Sequence, residues 1–356
     1  MRTALTAMSI LLKNFKPRTA LVMKDTTPER ARFPVIDVNN QLGKFNYLTF
    51  RLDPNQEWNV KDVPAALAIM DEMNVRCVVN LSGGWGDMLQ QNIERYKYPY
   101  PDRFCIFTNI DWEKVDEPNF GEKWAKELEK SVKAGAQGLK VYKTLGLRFR
   151  DSHGRFLTPN DVRFDPIWET AGKLKIPVLI HCSDPVSFFD PLDAYNERYE
   201  ELVERPDWLF YGKDYPRFVD LIEQFLKLVE NNPGTNFIGA HIMSYPENLS
   251  FVAQALNRYP NLYVDMTERI AELGRQPYSA REFLIKYADR VLFGSDYPPN
   301  PNIYRTNFRF LETDDEYFEY GRNQGRWRIY GVFLPDEALR KIYYENASRL
   351  IPRINL

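Results

Sequence analysis

Apolar positions along the chain follow two alternating patterns. Short apolar runs read as strands at 34–39, 75–81, 103–110, 137–142, 177–182, 235–241, 261–266 and 290–296. Between them lie stretches such as "VKDVPAALAIMDEMN", "GEKWAKELEKSVKAG", "DPIWETAGKLK", "YPRFVDLIEQFLKLVENN", "PENLSFVAQALNRYP" and "SAREFLIKYADR", with "PDEALRKIYYENASRL" last. Apolar residues there recur at i, i+3 and i+4, the period of a helix with one buried face. Proline near several of these starts fits the first helical position, where no backbone donor is needed. Strand–helix alternation repeated eight times predicts parallel strands with helices outside them, and eight units over this length predict a (β/α)8 TIM barrel. An open doubly wound sheet would instead place a glycine-rich phosphate turn after the first strand, and "NNQLGKFNY" is not one. The prediction is an N-terminal arm over 1–32 and one barrel domain over 33–356. Its long loops follow strands five and eight, at about 182–214 and 297–334.

Composition narrows the function classes. The chain has 356 residues, 44% hydrophobic, with 47 basic and 49 acidic side chains and a formal net charge of -2. That balance carries no nucleic-acid or polybasic membrane signature. No apolar run approaches the ~18 residues of a membrane span. Cys77, Cys105 and Cys182 are too few and scattered for a disulfide framework or a thiolate zinc site. A cytoplasmic location is expected, with export the alternative if "MRTALTAMSILLKNFKPRTALV" is a truncated signal. Aromatic content is 14% and crowds the two long loops. Loops with their own anchors commonly fold over a site, or pack on a neighbour in a homo-oligomer.

In a barrel of this kind, chemistry sits at the C-terminal ends of the strands. Strand one ends in Asp37, Asn39 and Gln41, which alternation places on one face. Strand two leads to Trp85 and Asp87, and strand four gives Lys140 and Lys143. Strand five gives His181 with Asp184 after it, and strand six gives His241. Strand seven gives Asp265, then Glu268 and Arg269, with Arg275 beyond, and strand eight gives Asp296. Only three histidines exist, and two of them end strands; His153, in "RDSHGRF", reads as a solvated turn residue. Cys182 reads as a small buried apolar residue. Each site candidate also has a bland reading: a satisfied core histidine, a turn carboxylate, or a salt-bridge network around Arg269 and Arg275.

The pieces "VIDVNNQLG", "PVLIHC", "FIGAH" and "VLFGSDYP", in this order, resemble the metal-dependent amidohydrolase superfamily. The likeness is to its branch related to aminocarboxymuconate-semialdehyde decarboxylase, and it runs from about residue 33 to 350. That family's first strand carries Asp-x-His-x-His. Carried over, Asn39 and Gln41 stand where the two metal histidines would be. His181 matches the third metal histidine, and His241 the histidine that approaches the metal-bound water or substrate. Asp296 matches the aspartate that binds metal and moves a proton.

The resemblance implies one divalent ion held by His181, Asp296, Asn39 and Gln41. Amide oxygens are neutral and harder than imidazole. They bias the site from zinc towards manganese, magnesium or calcium, with iron or zinc open through the two histidines and the aspartate. Asp296 and His241 would then be catalytic. Lys140, Trp85, Arg269 and Arg275 would bind a small ring-containing or carboxylate-bearing substrate. A hydrolase is the expectation, with a decarboxylase or other lyase on the same scaffold as the alternative. A metal-free binding protein or relic would follow if the two amides mark a lost site. Metal-free acid–base chemistry by Asp37 or Asp296 with His181 is the remaining possibility.

Overall fold

The structure of this chain, a computed structural model, describes residues 10–321 and 325–354. Eight parallel strands form one sheet in chain order: β1 (Val35–Asn40), β2 (Val75–Asn80), β3 (Phe104–Thr108), β4 (Gly138–Val141), β5 (Val178–Ile180), β6 (Phe237–Gly239), β7 (Leu262–Asp265) and β8 (Val291–Leu292). Two hydrogen bonds bring the last strand back to the first: Val38 N to Phe293 O at 3.0 Å and Asp296 N to Asn39 O at 2.9 Å. The predicted (β/α)8 barrel is the observed one.

Strand alternation sorts side chains into two cores. Val35, Leu139, Val141, Val178, Ile180, Phe237 and Val264 pack outward against the helices. Ile36, Val38, Val79, Phe107, Leu179, Ile238 and Leu292 fill the barrel interior, closed below by Ala347, Leu350 and Ile351. Each large apolar side chain buried this way contributes about 1.5–3 kcal/mol. The Phe107 ring reaches far enough across the interior to dictate a glycine: a Cβ on Gly138 would lie 2.4 Å from it. Lys140 sits between Leu139 and Val141 in β4, so alternation turns it away from the outer core and into the barrel.

Three expectations need revision. The segment after β8 is not all loop, because Pro301–Glu312 is a helix. Asn300 caps it, accepting from Asn302 N and Ile303 N, with Pro301 in its first turn. Tyr304, Phe308 and Leu311 form its buried stripe; the aromatic crowding hid this ordinary helical period. The loop after β5 is broken up by short helices at Val186–Phe189, Tyr199–Glu204 and Pro206–Trp208. In β1 the ladder shifts register between Asp37 and Asn40, so simple alternation fails there. Asp37 bonds Ser295 and the Tyr304 hydroxyl, while Asn39 bonds Asp265. The two do not converge on one centre.

Of the expected arm, residues 1–9 lie outside the described residues, as do 322–324 and 355–356 of the barrel. Residues 10–32 carry one short turn, Leu12–Asn14, and are tied down by Lys24 to Asp314 at 2.5 Å and by Thr26 Oγ1 to Asp315 at 2.6 Å. No helix among the described residues is long and apolar enough to cross a membrane.

Candidate active site

The strand ends of β4 to β8 place Lys140, His181, His241, Asp265 and Asp296 together at one mouth of the barrel. All are buried except Asp296, which is half-buried. Asp265 is the hub of the hydrogen bonding. Its Oδ1 accepts from His241 N at 3.0 Å and Thr267 N at 3.1 Å, and its Oδ2 accepts from Asn39 Nδ2 at 3.2 Å. His241 Nδ1 lies 2.9 Å from the Thr267 carbonyl, which fixes the proton on Nδ1 and leaves Nε2 as an acceptor. The His181 and His241 rings meet at 4.2 Å between centroids, tilted by 59°.

The backbone here is unusual. His241, Ile242, Met243 and Ser244 all adopt left-handed conformations, with φ of 60°, 54°, 56° and 55°, and Glu268 and Asp296 do so at 52° and 69°. Left-handed backbone costs an L-residue roughly 1–2 kcal/mol, and such strain concentrates at functional sites.

Burial dominates the protonation of the site. It pushes Asp296 up to about 7, helped by Glu268 and Asp265 and opposed by Lys140 and Arg269. It pulls Lys140 down to about 8, opposed by the charges of Asp265 and Asp296. It lowers His181 to about 4 and holds His241 well below the usual histidine range, so both rings are neutral at pH 7. Asp184 departs from this pattern. Burial acts to raise it, but Lys143 at 2.6 Å and His181 hold it well below the usual carboxylate range. The Lys143 ammonium also lies 3.9 Å from the Phe50 ring and 5.2 Å from that of Trp208, which stacks on Phe188. The loop after β5 thus supplies an aromatic cover over this ion pair.

The remaining candidates fall on either side of this centre. Arg269 is buried, donating to the Glu268 carbonyl at 2.9 Å, and its charge bears on His241 and Asp296. Arg275 is taken up elsewhere, by Glu197 at 2.9 Å and the Trp327 ring at 3.6 Å. Trp85 precedes the helix Gly86–Asn92 and meets Trp124 edge-on at 5.6 Å, a packing role. Cys182 is buried and its thiol is pushed up to about 12, which suits a structural residue. His153 sits exposed in a turn. Sequence reasoning missed Thr267 and Tyr304. Thr267 acts through its backbone, which leaves no composition signal; Tyr304 follows from the helical stripe of Pro301–Glu312.

A family model described as amidohydrolase matches residues 99–353. The chain belongs to the amidohydrolase family. The matched residues span β3 to β8 and exclude β1, where Asn39 and Gln41 depart from the histidine pattern. Among solved structures, this amidohydrolase is similar to a dihydroxybenzoic acid decarboxylase from Polaromonas sp. holding manganese and 2-nitroresorcinol. Identity is 17% and TM-score 0.54, covering 89% of this chain and 96% of that one. It is also similar to 5-carboxyvanillate decarboxylase from Sphingomonas paucimobilis, at 12% identity and TM-score 0.54, covering 89% and 98%. A probable 2-pyrone-4,6-dicarboxylic acid hydrolase from Acinetobacter baumannii, with citric acid bound, matches at 13% and 0.51, covering 89% and 99%. Likeness at these identities shows the fold. No curated protein matches the chain.

The residues of this amidohydrolase fit a divalent ion poorly. Among the described residues, no group of three or more His, Cys, Asp or Glu side chains could hold a metal. His181 Nε2 faces Asp184 Oδ1 at 3.5 Å beside the Lys143 ion pair and has no hydrogen-bond partner among the described residues. Asn39 donates its Nδ2 to Asp265, and its Oδ1 has no hydrogen-bond partner among the described residues. A buried ammonium, Lys140, already brings positive charge to this cluster.

Proposed function

We propose that this amidohydrolase releases CO2 from a small, electron-rich ring acid, a non-oxidative decarboxylation. The observation that carries the reading is Asp296: a half-buried carboxyl on left-handed backbone, pushed up to about 7, with the cations Lys140 and Arg269 bearing on it. Near neutral pH a carboxyl with this value is still substantially protonated and can deliver that proton.

The step needs one proton and no oxidant. Protonated Asp296 delivers its proton to the ring carbon that bears the carboxylate. The carbon–carboxylate bond then breaks, its electron pair restores the ring, and CO2 leaves. Asp296, now ionised, is reprotonated from solvent. Lys140 and Arg269 hold the anionic oxygens of the substrate. Neutral His241, with its proton on Nδ1 committed to Thr267, offers Nε2 as an acceptor to a substrate hydroxyl. The decarboxylases among the structural neighbours agree with this reading. Hydrolysis, the first expectation from sequence, requires an activated water, and a carboxylate working alone is a weak activator of one.

The test is a panel of hydroxylated benzoic acids and related ring acids incubated with the protein in D2O. Release of CO2 with one deuterium at the vacated carbon, lost in Asp296→Asn, is the expected result. Cleavage of a lactone, ester or amide with no CO2 from any acid would replace this reading with the hydrolase.

A further inference from the structure

The strand-end amides and the interior lysine point to a single change in design. Asn39 Oδ1 and Gln41 Oε1 are buried, and neither has a hydrogen-bond partner among the described residues. Replacing two imidazoles by two amides removes the strongest neutral ligands from the first strand. His181 Nε2, also without a hydrogen-bond partner among the described residues, lies 3.5 Å from the Asp184 carboxylate, whose charge Lys143 neutralises. These are losses on the metal side.

The gain is on β4. Lys140 is 2% exposed and faces the barrel interior. Its ammonium makes no hydrogen bond or ion pair with the described residues and lies 5.2 Å from the centre of the Tyr142 ring. A buried ammonium with unused donors is costly, and it is stabilised by the negative field of Asp265, joined by Asp296 when that carboxyl is ionised. A divalent ion placed beside it would be repelled by it and would compete for the same carboxylates.

We infer that the Lys140 ammonium stands in for the divalent ion, so that this amidohydrolase recognises its substrate's anionic group without a metal. The ammonium is a compact charge with three donors, suited to a carboxylate or phenolate oxygen. The unpaired amide oxygens of Asn39 and Gln41 accept from the hydroxyls of the same ligand. Cation and acceptors together select a hydroxylated acid. The inference rests on the proposed function only in the choice of a carboxylate probe.

The experiment uses the full chain, stripped with a chelator, in two independent readouts. The first is equilibrium dialysis against Mn2+ and Zn2+ with elemental analysis. The native chain is expected to retain no stoichiometric ion. The triple variant Asn39→His, Gln41→His, Lys140→Ala is expected to gain one, and the double variant that keeps Lys140 to bind about tenfold more weakly or worse than the triple. The second is calorimetric titration with salicylate. The stripped native chain is expected to bind it, and Lys140→Met to lose about tenfold or more in affinity. Lys140→Gln serves if the methionine variant fails to fold.

One equivalent of Mn2+ or Zn2+ on the native chain overturns the inference, as does unchanged salicylate affinity in a folded Lys140 variant. Neither readout involves CO2, so a failed decarboxylase screen with no metal bound overturns the proposed function alone. CO2 release that requires a bound ion overturns this inference alone.

Discussion

Asp265 Oδ1 accepts the backbone N–H of His241 at 3.0 Å, and this contact holds the first residue of a four-residue left-handed turn. The same oxygen takes Thr267 N, whose residue returns the favour through its carbonyl to His241 Nδ1. One carboxylate on β7 therefore sets both the backbone and the ring of a residue after β6. Asp265→Ala would leave the N–H groups of His241 and Thr267 and the Asn39 amide without their acceptor. A loss of about 3 kcal/mol or more is expected from three buried donors. Urea unfolding measures it, and a loss under about 1 kcal/mol would mean that Asp265 is not the support described.

Asp296 gives the pH dependence its sign. Proton delivery needs its acid form, so kcat is expected to hold below about 7 and to fall roughly tenfold per pH unit above it. Stability follows the same group. Because its folded value lies above the ordinary carboxylate range, its contribution is complete below that range and is lost as pH rises through about 7. Asp296→Asn cannot ionise, so its stability relative to the native chain should improve between pH 5 and pH 8 while activity is abolished. A pH-independent difference in urea midpoint would contradict the raised carboxyl.

Much of this was legible because it is periodic. Eight apolar runs and the helical stripes between them specify the barrel, and strand ends in a barrel specify where polar side chains gather. Lys140, His181, His241, Asp265 and Asp296 are all named by that rule. What escaped is what periodicity does not encode. The register shift in β1 sends Asp37 to Tyr304 while Asn39 goes to Asp265. Arg275 reads from sequence as a substrate anchor or a member of a salt-bridge network, and its partner, Glu197, 78 residues away, could not be named. The orientation of His181 depends on Asp184 three positions later, whose charge only makes sense once Lys143 of a different strand end is beside it. Each miss is a long-range pairing, and each concerns which partner a polar group finds rather than where its strand runs.

The Lys143–Asp184 pair makes a separate prediction. Both side chains are buried at 2.6 Å, so removing one leaves the other charged and alone. Lys143→Met is expected to cost about 3–5 kcal/mol, and the double variant with Asp184→Asn markedly less than the sum of the two singles. Asp184 is held below the usual carboxylate range, so its stabilisation is present above that range and is lost as pH falls through its lowered folded value. Additive effects in the double-variant cycle would show that the two charges do not depend on each other.

The two neutral histidines bear on where positive charge resides. Burial lowers His181 to about 4 and His241 further below the usual range than a surface ring would sit. Both rings are then uncharged at the pH where Asp296 holds its proton. The site's cations at neutral pH are Lys140 and Arg269, and an anionic substrate must be met by them. Nitrogen NMR of the imidazoles tests this directly. His241 is expected to show a protonated Nδ1 and a free Nε2 across pH 5 to 9, because Nδ1 is committed to the Thr267 carbonyl at 2.9 Å. His181 is expected to stay neutral down to about pH 5. An imidazolium signal from either ring at pH 7 would move part of the anion-binding charge from Lys140 to a histidine, and would predict that Lys140→Met retains substantial affinity for a carboxylate.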